Sequence, residues 1–165
     1  MNREQEIVVL MIDGEVKSPR SFTYADLAEI DACHQIQDVS QMEPTRAGHA
    51  VRLEGLLQLV HTHQRATFLG LHSDYDNFHA SIPLAEIRDR AILIYRLAGQ
   101  PLPRSKGGPV RFFIPDHASC NTDEIDECAN VKFVDHIEIT SEKGFDNRPQ
   151  DEQEHAKLHG EDAAR

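Results

Sequence analysis

Ala91-Ile92-Leu93-Ile94-Tyr95-Arg96-Leu97 constrains the fold of this chain more than any other segment. It is nearly continuous in apolar residues. A strand with one wet face alternates apolar and polar residues, whereas a run without alternation needs cover on both faces. The segment therefore reads as a central strand.

Other strands read at residues 5–12, closed by the turn signal Asp13-Gly14, and at 66–71, 78–82, 110–114 and 131–140. Ile36 and Val39 mark a further short one. Ser73-Asp74-Tyr75-Asp76-Asn77 is a polar turn between two of the strands. Helices are few. Thr23 with Asp26 three residues on is a capping signature, placed ahead of the apolar stripe of Leu27 and Ile30. Leu53, Leu56, Leu57 and Val60 repeat at helical spacing up to His61, and Pro83 opens a short turn of helix. Many strands with short interspersed helices at irregular spacing imply an α+β domain built on a mixed sheet.

The domain is expected to occupy residues 1–145. Over residues 146–165 the only large apolar residue is Leu158, too little burial to offset the entropy of ordering, so a polar, disordered tail is expected there. No apolar run is long enough to span a bilayer, and the first strand lacks the basic start and cleavage site of a signal peptide. A cytoplasmic protein is the expectation.

The chain of 165 residues has a net charge of −11, yet Arg104, Lys106 and Arg111 gather around Gly107-Gly108-Pro109. Nucleic acid needs a broad basic face, which an acidic chain with one basic loop does not provide. A small anion fits better, a phosphate being the usual candidate, because adjacent glycines allow close backbone approach and the cations neutralise charge. The competing reading is a glycine turn carrying solvated cations.

Among the three cysteines, Cys120 and Cys128, with His117 nearby, bracket an acidic loop. They are weak candidates for a zinc or copper clip, since their spacing fits no strong metal motif; two reduced structural thiols or a disulfide closing the loop are the other readings. His61 and His63 fall at a helix end, and His155 with His159 stand four apart in the tail. No Ser-His-Asp or Cys-His nucleophile pattern is present, nor a Walker or dinucleotide glycine motif.

The order of motifs carries a resemblance. Gly48-His49-Ala50-Val51 precedes Leu53-Glu54-Gly55-Leu56-Leu57, followed by Asp76-Asn77-Phe78-His79-Ala80-Ser81-Ile82-Pro83-Leu84. Gly99-Gln100-Pro101-Leu102-Pro103, then Gly107-Gly108-Pro109-Val110-Arg111-Phe112-Phe113-Ile114-Pro115, then Ala129-Asn130-Val131-Lys132-Phe133-Val134 complete the series. Over residues 22–140 the chain resembles the molybdopterin-binding domain of the sulfite oxidase family in a short stand-alone form. The resemblance implies a molybdenum cofactor, a pterin with a dithiolene and a terminal phosphate. It implies binding by Lys106, Gly107, Gly108 and Arg111, with Lys132 as a second cation and His72, like His79, beside the cofactor pocket. It also implies an oxidoreductase that transfers oxygen and passes electrons to an external carrier. One departure stands out: catalytic members supply a cysteine thiolate to molybdenum from the segment corresponding to residues 35–42, by spacing near Asp38 to Ser40. No cysteine lies there, and Cys33 comes several residues too early. A non-catalytic binding or interaction module that lost the ligand is therefore the first alternative, and a metal- or redox-responsive protein using Cys120 and Cys128 the second.

Overall fold

A computed structural model describes residues 7–120 and 122–149. Ten strands form two five-stranded sheets. In the first, β1 (Val8–Gly14) lies between β2 (Arg20–Thr23) and β10 (His136–Thr140), and β5 (Phe68–Ser73) and β6 (Phe78–Pro83) complete it. Only the β1–β10 contact is parallel. In the second, β3 (Gln35–Ile36), β4 (His49–Arg52) and β7 (Ile92–Leu97) run in order. The other edge of β7 pairs with both β8 (Gln100–Pro101) and β9 (Arg111–Phe113).

The continuous apolar run of β7 is explained by its position. Leu93 and Tyr95 enter the main core with Val51 and Phe112, while Ile92 and Ile94 face the other way into a smaller cluster with Val39, Ala50, Leu102 and Phe113. The first sheet alternates instead. Leu10, Ile12, Leu69, Leu71, Ala80, Ile82, Ile137 and Ile139 are buried on its core face, and Met11, Gly70, Ser81 and Glu138 occupy the positions between.

Among the described residues three short helices accompany the sheets. In α1 (Tyr24–Ala28) the Thr23 hydroxyl accepts from the Asp26 amide while the Asp26 carboxylate accepts from the Thr23 amide, the reciprocal cap expected from the sequence. Helix α2 (Leu53–Val60) buries Leu53, Leu56, Leu57 and Val60 and ends at His61 in a left-handed conformation. Pro83 caps α3 (Leu84–Ile87) rather than opening its first turn.

Two expectations shift. Residues 131–135 are not strand: Phe133 has a φ of 57°, and the extended ladder starts at His136. Ordered packing also continues past residue 145, because Asp146 and Arg148 are docked against the sheet. Residues 150–165, with His155 and His159, lie outside the described residues.

Candidate functional site

The glycine loop joins β8 to β9. Arg104–Lys106 form one 3-10 turn, which Gly107 ends at a φ of 97°, a value that favours glycine. A Cβ on Gly107 would stand 3.0 Å from the Arg111 side chain and 3.3 Å from that of Lys132. Gly108 serves the chain itself: a Cβ there would meet the Leu102 carbonyl oxygen at 1.9 Å. The close backbone approach at Gly108 is thus made to Leu102. The Gly107 carbonyl accepts from the Phe133 amide and the Val110 carbonyl from the Val134 amide, which holds Lys132 over the loop.

Arg111 and Phe113 share the face of β9 that meets the smaller core cluster, since Arg111 pairs with Ile94 and Phe113 with Ile92. Residues 39–48 lie against this face: Val39 packs in the same cluster, and its amide donates to the Gly48 carbonyl. The segment delivers a cation that sequence reasoning passed over. The Arg46 guanidinium lies 5.1 Å from the Phe113 ring centroid. Its charge lowers the pKa of Arg111, second to the half-burial of Arg111 itself. The Nε atoms of both arginines are buried and have no hydrogen-bond partner. Arg111 spends one donor, Nη1, on the Lys106 carbonyl at 3.3 Å. Among the described residues neither guanidinium has a carboxylate within ion-pair distance. The only sequence signal for Arg46 was a lone cation just ahead of Gly48.

Two cavities lie in this region. One of about 250 Å³, which no residue of the loop lines, is bounded by Arg46, Phe113 and His117, and also by Glu43, Asp116 and Glu127. A larger one, about 660 Å³, lies against Arg104, Gly108, Pro109, Tyr75, Phe133 and Asp135. There Arg104 lies 4.1 Å from the Tyr75 ring centroid and 5.9 Å from that of Phe133.

The other candidates are scattered. Lys106 and Lys132 are exposed at the loop surface. His72 sits on β5, where its ring meets His79 and Glu138, and it lines neither cavity. Asp38 is exposed and caps its own 3-10 turn by accepting from the amide and hydroxyl of Ser40. Cys33 is exposed in the turn before β3. Burial raises the pKa of the Cys120 and Cys128 thiols, opposite to an activated thiolate. Among the described residues no three His, Cys, Asp or Glu side chains converge as a metal site.

Known proteins decide the family. The model of the oxidoreductase molybdopterin binding domain matches residues 3–147. The chain belongs to that family. Rat mitochondrial sulfite oxidase is 32% identical over 105 residues, which cover 61% of this chain and 16% of the relative. The human enzyme is 33% identical over 93 residues, covering 53% of this chain and 16% of the relative. The chain therefore spans about a sixth of the curated relatives it matches. The crystal structure of the sulfane dehydrogenase SoxCD from Paracoccus pantotrophus superposes with a TM-score of 0.60 at 19% identity, covering 87% of this chain and 40% of that one. It establishes the sulfite oxidase-like fold. Among the described residues no helix is long and apolar enough to cross a membrane.

Proposed function

We propose that this domain binds a phosphorylated pterin of the molybdopterin type, with Arg111 and Arg46 as its central anion ligands and Lys106, Lys132 and the Gly107 turn at the rim. One observation carries the reading: two guanidinium groups on one sheet face each keep a buried, unpartnered Nε. A buried donor without an acceptor costs about 1–3 kcal/mol, and like charges held close add to it, so an anion between them relieves both penalties. Phosphate suits this role because guanidinium forks match its oxygens.

The phosphorylated half of the cofactor fits these residues; the metal half does not find its thiolate. Residues 35–42 contain no cysteine, and none lines either cavity. When bound through a thiolate the metal supplies oxygen-atom transfer, with electrons leaving to an external carrier. The residues of this chain favour the second reading, a binding module without that turnover, on the strength of Asp38 standing near the ligand position and spending its carboxylate on Ser40.

The test is cofactor content after expression in a host that makes molybdopterin. Stoichiometric pterin, read as its fluorescent oxidation product, is expected in the parent and absent from Arg111→Ala and Arg46→Ala variants that keep the parent circular dichroism. A parent without pterin, or an Arg111→Ala variant that retains it, overturns the proposal. Molybdenum by mass spectrometry separates the two readings: a stoichiometric metal restores the enzyme.

A further inference from the structure

On the solvent side of the first sheet, one cross-strand row runs His136, His72, His79 over β10, β5 and β6. The His72 and His136 ring centroids are 5.1 Å apart, and those of His72 and His79 5.0 Å. His136 Nε2 is held by the Asp13 carboxylate at 2.6 Å. His72 and His79 bond each other directly, Nδ1 to Nδ1 at 2.8 Å.

Proton counting limits the state of that pair. His79 Nε2 lies 3.0 Å from the Asn77 side-chain amide, and His72 Nε2 lies 3.2 Å from the Glu138 carboxylate, which only accepts. The inner contact needs one hydrogen between two nitrogens. Four ring nitrogens therefore share at most three protons while the inner bond holds. A fourth proton would aim two N–H groups at each other across 2.8 Å and place two cations in contact, so the inner bond must break.

The His79 residue also carries the C-terminal strap. Its amide donates to Asn147 Oδ1 and its carbonyl accepts from the Asn147 amide. The Asn147 side-chain amide donates to the Asn77 carbonyl, and the Phe145 ring centroid lies 4.9 Å from that of His79. Charged groups face His79 from three sides: Asp74 and Asp76 from the turn, Asp135 ahead of β10, and His72 from β5. We infer that the His72–His79 pair is an acid-operated clamp, which joins the β5–β6 hairpin to the strap while its inner bond holds and opens at Asn147 when all four ring nitrogens are protonated. The direction agrees with burial and the His72 charge, which lower the pKa of His79. Unfolded histidine takes up its proton near pH ~6.5, so the closed form loses stability as pH falls below that value. The freed groups are the outward backbone hydrogen bonders of an edge strand.

Opening is local, because the neighbouring anchor does not titrate there: the Ser81 amide donates to Asp146, itself fixed by Arg148. Amide hydrogen exchange by NMR on the full chain tests this between pH 8 and 5. Protection at Asn147 is expected to fall about tenfold per pH unit below the midpoint of the pair, while protection at Ser81 holds. Imidazole nitrogen resonances are expected to show the fourth proton arriving with the same midpoint. In His72→Gln, which removes the repelling charge, Asn147 protection should lose its pH dependence. Flat protection at Asn147 in the parent, or loss in step with Ser81, overturns the clamp. Should the variant not fold, the parent data alone decide.

Discussion

Arg148 is buried and Arg111 half-buried, and their surroundings are opposite. Arg148 is 7% exposed and uses every nitrogen. Its Nε and Nη2 donate to Asp146, Nη1 to the Glu124 carbonyl and Asp126, and Nη2 also to the Ser81 carbonyl. Burial pulls its pKa down, and Asp146 and Asp126 more than restore it. At Arg111, burial and the charge of Arg46 act in the same direction, downward. One arginine closes the fold by pinning the strap and the acidic loop to β6; the other holds unspent binding capacity. Buried charge serves stability only where its hydrogen bonds are complete, and an incomplete set marks the surface that needs a ligand.

Replacing Arg148 by methionine should give the largest effect. It strands the Asp146 carboxylate, which is 7% exposed, and should cost about 3–5 kcal/mol in denaturant unfolding. Arg111→Met should cost less than ~1 kcal/mol, or stabilise, because it removes a repelled and unsatisfied charge, while abolishing pterin retention. If both variants lose the same stability, Arg111 is structural and the contrast fails.

The pH dependence of that difference sharpens it. Burial pushes the pKa of Asp146 up, but hydrogen bonds from Arg148 and the Ser81 amide outweigh it and hold the group below the usual carboxylate range. A depressed folded value means the stabilisation is complete above the unfolded value near pH ~3.9 and is lost as pH falls through the folded one. In Arg148→Met burial is opposed only by backbone amides, so the Asp146 value rises and the stranded carboxylate takes up a proton at higher pH than in the parent. The stability gap between parent and variant should therefore be widest near pH 8 and narrow as pH falls through that raised value. A gap that stays constant from pH 8 down to about 4 would assign the anchoring to another group.

Much of the fold was legible because local signals and burial agree. The unbroken run of β7 announced a strand covered on both faces, and Thr23 with Asp26 marked a helix start to the residue. The strap was illegible for a physical reason: Asp146 and Arg148 read as solvated charges in a polar stretch, and only their mutual pairing lets them be buried. The site was half legible. Arg111 stood out beside its glycines, but Arg46 reaches it across a fold-back between residues more than sixty apart, which spacing does not reveal. At Gly108 the sequence did not show that the missing Cβ makes room for the Leu102 carbonyl.

The cap of α1 offers the smallest effect and a control for the contrast. The helix has five residues, too few to stand on propensity, so its entry bonds count. Thr23→Ala removes the hydroxyl that accepts from the Asp26 amide at 3.1 Å and should cost ~1 kcal/mol. It leaves Arg46 and Arg111 untouched, so pterin content should match the parent at temperatures where the variant is folded. Thr23→Ala should thus resemble Arg148→Met in kind, affecting stability alone, and Arg111→Met in modest size. If it releases pterin while folded, then retention follows general stability, and the arginine pair has no special claim to the anion.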